Sequence, residues 1–334
     1  MTSCGRFPLD GDGIHRLQKD LIASFAELSQ AAERALKTMG KRYWERLEGR
    51  GELEGTGREG HLDTLKALFE RHLPRLAEHY GERPEKTLTS PRTYEAFAAD
   101  TAAVLMARII FLRLLEDLGL AKGSLAGGES ERRREFVELL VRHPKTLIER
   151  VLPGLAEAYR EPFEEEIFAW VLETNGEMDE ALQRLILRVN AYDFSGLSEE
   201  VLGDIYQNFL PPDKRKRLGE FYTPKEVVDL ILRETALTHP GDYPRVLDPA
   251  CGSGSFLVRY LHHRVEDAKN RGVHMDPGRL AESIWGFDLN PFAAYISLFQ
   301  LLWGLLRLKR DSKPRVHVYN LNALLDDRDI ASYA

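Results

Sequence analysis

The spacing of apolar positions divides the chain into two stretches of different character. From residue 14 to about residue 210, apolar residues recur every three or four positions between clusters of Gly, Pro and charge, and no run shows the alternation of a strand. Helices are predicted over residues 14–47, 61–80, 94–118, 131–142, 145–158, 164–173 and 180–190. The strongest pattern is 94–118, where Ala98, Ala102, Leu105, Ile109, Leu112 and Leu115 share one face and Ile110 and Phe111 widen it. That marks a central helix. The glycine-rich polar segments 49–60 and 121–128 read as loops rather than phosphate cradles, and no internal repeat is visible.

After residue 190 the pattern changes. Residues 197–209 make one more helix, Pro211-Pro212-Asp213 ends it, and Lys214-Arg215-Lys216-Arg217 reads equally as a phosphate contact or a solvated linker. In Gly219-Glu220-Phe221-Tyr222-Thr223-Pro224, two aromatics form a wall beside a ligand, and Thr223 and Pro224 cap and start a helix over 225–237. Arg245-Val246-Leu247 is a short apolar strand. It runs into Asp248-Pro249-Ala250-Cys251-Gly252-Ser253-Gly254-Ser255-Phe256-Leu257, a glycine turn that opens a helix to residue 270 and lets backbone approach a ligand closely. A second strand, 284–288, ends in Asp288 before a helix-starting Asn290-Pro291. In nucleotide-binding α/β folds an acid at that position takes the ribose hydroxyls, but the separation from Asp248 exceeds the roughly 20 residues of a dinucleotide fold. Another strand, 316–319, leads into Asn320-Leu321-Asn322-Ala323.

Composition narrows this modestly. With 43% hydrophobic and 30% charged residues over 334 positions, the chain has the makeup of a soluble protein of two domains. A net charge of −7 argues against coating nucleic acid by bulk electrostatics, although a local basic surface remains compatible. Cys4 and Cys251 alone build neither a disulfide framework nor a four-thiolate zinc site, and a cytoplasmic location is expected. The apolar run 293–308 contains Gln300 and is too short for a bilayer, so it reads as a buried helix. His262-His263 has no partner carboxylate at ligand spacing, and no metal site is expected. Cys251 reads as a small side chain that fits its turn.

In this order the segments from Gly219 to Leu325 resemble the adenine-specific DNA N6-methyltransferases of restriction-modification and phage-defence systems. The resemblance implies an α + α/β chain: a helical N-terminal domain (1–195), a connecting helix and basic linker (196–218), and the first part of a Rossmann-like, doubly wound methyltransferase domain (219–334). It implies S-adenosylmethionine (SAM) as cofactor and DNA as partner. Phe221, Tyr222, Thr223 and Pro224 would hold the methionine end. Asp248, Ala250, Cys251, Gly252, Gly254 and Phe256 would contact the amino-acid moiety, Asp288 the ribose, Leu289 and Ala323 the adenine ring, and Asn322 its amino group. Many family members have Asp at the place of Asn322, whose carbonyl oxygen still accepts that bond.

The tetrapeptide that such enzymes use on the target base, Asn/Asp/Ser-Pro-Pro-Tyr/Phe, does not occur in the chain, and Asn290-Pro291-Phe292 reads as a helix start. The expectation is a SAM-binding portion, incomplete for catalysis by itself, with a second chain or C-terminal half supplying the rest. A non-catalytic SAM-binding or assembly subunit, or a fragment of a protein-glutamine or ribosomal-RNA methyltransferase, are the alternatives. A sheet cut short in this way is expected to leave an apolar face exposed at Leu298, Leu301, Leu302 and Leu305.

Overall fold

The structure is a computed structural model, and it describes residues 6–47, 91–121, 125, 131–151, 170–172, 174, 176–195, 197, 223–235, 241–310, 312–321 and 323. The helices predicted at 61–80 and 197–209, most of 164–173, the basic run 214–217 and the loop 219–222 lie outside these residues. Two compact units are present, Met1–Gly196 and Leu197–Ala334.

In the first unit a two-residue strand β1 (Phe7–Pro8) precedes the long helix α1 (Gly11–Leu47), followed by α2 (Pro91–Asp117), α3 (Glu131–Arg142), a π-helical turn at Leu147–Val151, α4 (Asp179–Asn190) and strand β2 (Tyr192–Asp193). An entirely helical half was expected, yet β1 and β2 pair in parallel, Phe7 opposite Tyr192. Two residues are too few for an alternating pattern to register in sequence. Helix α2 is central as predicted, but it is buried on every side rather than along one face: residues 101 to 116 are all buried, including Thr101, Arg108, Arg113 and Glu116. It packs on α1 and α4, and α1 also packs on α4.

The polar side chains inside this unit are heavily bonded. Arg113, with no exposed surface, donates to Glu116 Oε2 at 3.0 Å and to both oxygens of Asp117 at 2.8 and 2.6 Å, and its guanidinium lies 5.9 Å from the Phe194 ring. Asp117 also accepts from Arg6 and from the Phe194 N–H, while Glu116 accepts the Leu125 N–H. The end of α2 thereby fixes segments from both ends of the unit. Between α1 and α4, Glu27 accepts from Arg184 at 2.7 Å and from Arg188 at 2.8 Å, which holds its carboxyl below the usual range.

The second unit opens with α5 (Lys225–Glu234), then β3 (Val246–Asp248), α6 (Ser255–Asn270), α7 (Pro277–Ser283), β4 (Ile284–Asp288), α8 (Pro291–Leu308) and β5 (His317–Asn320). The three strands form a parallel sheet in the order β3-β4-β5, with Val246 opposite Ile284 and Trp285 opposite His317. Asp276 caps α7 by accepting the Arg279 N–H, one residue before Pro277. Helices α6 and α8 pack on each other and on β4. On the strands' opposite face Trp285 stacks on His317 at 4.1 Å between centroids, 7° from parallel.

Leu298, Leu301, Leu302 and Leu305, expected at a bare surface, are all buried. Helix α8 packs on α6, α7, β4 and β5, and among its described residues those from 293 to 306 are all buried. Among the described residues the exposed large hydrophobes of this unit are instead Val227, Leu230 and Ile231 on α5, Leu247 on β3, Val273 and Leu289.

Replacing Arg113 with Met removes the buried cation that Glu116 and Asp117 share, while Asp117 keeps Arg6. The expected loss is about 3–5 kcal/mol, the cost of breaking a buried pair from one side, read as a lower urea midpoint for the helical unit by circular dichroism.

Candidate functional site

Strand β3 ends at Asp248, and the chain then doubles through residues 249–254 into α6 because Gly252 and Gly254 adopt positive φ, +54° and +92°. Three bonds set the turn. The Cys251 N–H donates to the Phe287 carbonyl at 2.8 Å, the Gly252 N–H to Asp288 Oδ2 at 2.8 Å, and the Gly254 N–H to the Cys251 carbonyl at 2.9 Å. Asp288 Oδ1 accepts the Asn290 N–H at 2.8 Å, so one carboxylate joins the glycine turn to the start of α8. From β5, Asn320 Nδ2 donates to the carbonyls of Asp288 and Leu289, both at 2.9 Å.

The site is electrostatically one-sided. Asp248 accepts the Ala250 N–H at 3.1 Å, yet burial and the neighbouring Asp288 push its carboxyl above the ordinary range. Burial does the same to Asp288 despite its two N–H donors. The thiol of Cys251 is buried, and burial, with both carboxylates nearby, pushes it far up and leaves it inert. Helix α6 has Gly254 as its N-cap, and no side chain caps it.

Close packing beneath the turn explains two glycines. A Cβ on Gly254 would meet Ser297 Oγ at 2.6 Å, and one on Gly286 would meet Leu257 Cδ1 at 2.6 Å and Cys251 Sγ at 3.1 Å. No alternative residue fits either place without displacing a buried neighbour.

Asp248, Ala250, Cys251, Gly252, Gly254, Asp288 and Leu289 thus come together at the carboxyl ends of β3 and β4, with Phe256 in the first turn of α6. Ala323 is exposed just beyond β5, while Phe221, Tyr222 and Asn322 lie outside the described residues. Thr223 does not cap α5: Pro224 is the N-cap and no side chain serves it, because Thr223 stands one position too early. Leu289 is 44% exposed at the rim.

Sequence reasoning missed three supports. Asn320 was passed over for Asn322, although it ends the strand. Gln300 was read only as a polar break in an apolar run, yet its Nε2 donates to the Ser253 carbonyl at 2.6 Å. His263, weighed only for carboxylates at metal-ligand spacing, has its Nε2 2.9 Å from Asp229 Oδ1, and Arg259 donates to both oxygens of Asp229 at 2.8 and 2.5 Å. Arg259 first, then His263, holds the Asp229 carboxyl down to about 2 and ties α5 to α6.

Strands in parallel, a glycine turn at their carboxyl ends and an acid closing the second strand form the arrangement by which open α/β folds hold nucleotide-like ligands. Residues 197–320 match the family model described as N-6 DNA Methylase, and over that stretch the chain is similar to adenine-N6 DNA methylases, as its motifs led one to expect. The type I restriction enzyme MjaVIII methylase subunit of Methanocaldococcus jannaschii is 46% identical over 80 residues, 23% of this chain and 13% of that protein. The adenine-specific methyltransferase PglX of Streptomyces coelicolor is 32% identical over 115 residues, 32% of this chain and 9% of that protein. The chain therefore spans a small fraction of the length of these relatives. A DNA complex of the type IIL restriction-modification enzyme MmeI overlaps 88% of this chain and 40% of its own at 19% identity, with a TM-score of 0.45, too loose to carry an argument.

Two outcomes follow. Because the folded state raises the Asp248 pKa, it binds protons more readily than the unfolded chain, and stability falls as pH rises through that window. Asp248→Asn keeps an acceptor for the Ala250 N–H and removes the charge. It should melt above the wild type at pH 7, with the gain vanishing as pH nears 4, the ordinary carboxylate range. Gly286→Ala should cost about 1–3 kcal/mol by overpacking, seen as a reduced urea midpoint.

Proposed function

We propose that the second unit binds SAM and is the donor-side portion of a site-specific DNA adenine-N6 methyltransferase from a restriction-modification or related defence system. The observation that carries this is the pair Asp248 and Asp288 at an uncapped glycine turn, in the stretch that matches the N-6 DNA methylases. Two carboxylates raised by burial favour a ligand that brings positive charge, and SAM carries an ammonium and a sulfonium.

The residues fit such a ligand. The first N–H groups of α6 suit the methionine carboxylate, since a helix N-terminus favours an anion. Asp248, with the backbone of residues 250–254 and Phe256, faces the amino-acid moiety, and Phe221, Tyr222, Thr223 and Pro224 close the methionine side. Each Asp288 oxygen accepts one N–H and keeps a free lone pair for a ribose hydroxyl. Leu289 and Ala323 pack on the adenine, and Asn322 accepts from its amino group. SAM, when bound, supplies a methyl group activated by the sulfonium for transfer to a nitrogen. Gly252 and Gly254 bring backbone close to it, and the inert Cys251 takes no part.

In this reading residues 1–195 form a helical domain, 196–218 connect it, and 219–334 begin a doubly wound methyltransferase sheet. DNA is the partner, a further segment or second chain supplies the groups that hold the target base, and the protein works in the cytoplasm.

Isothermal titration of the purified chain with SAM should give a saturable heat. Asp288→Ala should weaken binding at least tenfold, about 1.4 kcal/mol. Absence of heat at high micromolar SAM, or an unchanged affinity in the variant, would count against the proposal.

A further inference from the structure

Helix α8 is strongly apolar, and from Phe299 to Leu306 Gln300 is the one strongly polar side chain apart from the Trp303 indole; Gly304 aside, the others there are large hydrophobes. Gln300 is 4% exposed. A buried amide costs free energy unless it is bonded, and a hydrophobic residue would serve a plain core position better. The Gln300 side chain reaches out of α8 to the Ser253 carbonyl at 2.6 Å, in the middle of the glycine turn. One helical turn earlier, the buried Ser297 lies against Gly254, where a Cβ would come within 2.6 Å of its Oγ.

We infer that Gln300 is a positioning residue for the ligand site: its amide holds the peptide between Ser253 and Gly254 in the orientation that presents the turn and the first N–H groups of α6 to the ligand. The inference rests on the SAM-binding reading and extends it to a residue that touches no ligand. The Gly254 N–H of the same planar peptide donates to the Cys251 carbonyl, so that bond and the one from Gln300 hold the peptide from its two sides. Pulled toward α8 by Gln300, the Ser253 carbonyl points away from the ligand side, and no carbonyl dipole opposes an anion at the helix start. Without Gln300 that peptide keeps the Gly254 N–H bond to Cys251 but loses its tie to α8, beside glycines whose backbone lets it turn more readily.

Gln300→Met preserves length and removes the donor. SAM titrations of wild type and variant are run beside thermal melts, with amide hydrogen exchange followed at residues 252–257. The expected result is at least a tenfold rise in Kd, faster exchange in that segment, and a melting temperature within a few degrees of wild type. Gln300→Glu adds a pH readout: its Kd relative to wild type should fall as pH is lowered, because a protonated carboxyl can donate to the Ser253 carbonyl and a carboxylate cannot. Should Gln300→Met fail to fold, Gln300→Asn, one methylene short, carries the same comparison.

Unchanged affinity in a folded variant overturns the inference, as does an affinity loss matched by a general loss of exchange protection throughout the unit. A wild type that gives no heat with SAM overturns the reading of the site itself, and the inference with it.

Discussion

The second unit depends on what the Asp288 carboxylate does with its two oxygens. One takes the Gly252 N–H from the turn after the first strand, the other takes the Asn290 N–H at the start of the next helix, and the Asp288 carbonyl is held from β5 by Asn320 and Leu321. A single residue thus registers three strand ends against one another. Without it, the turn would have only the Cys251 bond to the Phe287 carbonyl to keep it against the sheet. A charge held by backbone donors alone remains only partly compensated, which is why burial wins and the carboxyl sits high.

The two units treat buried charge in opposite ways. In the first, Arg113 meets Glu116 and Asp117, and Glu27 meets Arg184 and Arg188; carboxylates there face cations and serve architecture. At the strand ends of the second, Asp248 and Asp288 neighbour each other, and no cation is bonded to either among the described residues. An arrangement that weakens the fold is kept where a ligand can relieve it, which is the usual signature of a site rather than of a scaffold. Asp229, on α5, shows what the same side chain does when paired: bound by Arg259, it drops to about 2.

How much of this the sequence carries depends on how local the interaction is. The glycine turn and the strand-ending acid were readable because strand, turn and helix are contiguous and glycine at 252 and 254 has a steric meaning of its own. Helix α2 was readable as a helix but not as one enclosed on every side, since its covers come from α1 and α4, elements remote in the chain. Gln300 and Ser253 are 47 positions apart, and Asp229 is 30 from Arg259 and 34 from His263. No periodicity marks such pairs. The misplaced exposure of Leu298, Leu301, Leu302 and Leu305 has the same origin: an apolar stripe announces burial without saying which neighbour provides it.

The parallel pairing of residues 7 and 8 with 192 and 193, and the ion pairs from Glu27 to Arg184 and Arg188, give the first unit a closing order. During synthesis α1 leaves the ribosome ahead of α2 and α4, and the partners that complete its packing follow some 160 residues later. Until then its apolar residues, Leu17, Leu21, Phe25 and Leu28 among them, wait for α2 and α4. At about 5–20 residues per second that interval lasts roughly 8–30 s. A chain that stops short of residue 184 lacks both arginines that hold Glu27, and the pairing between α1 and α4 cannot form.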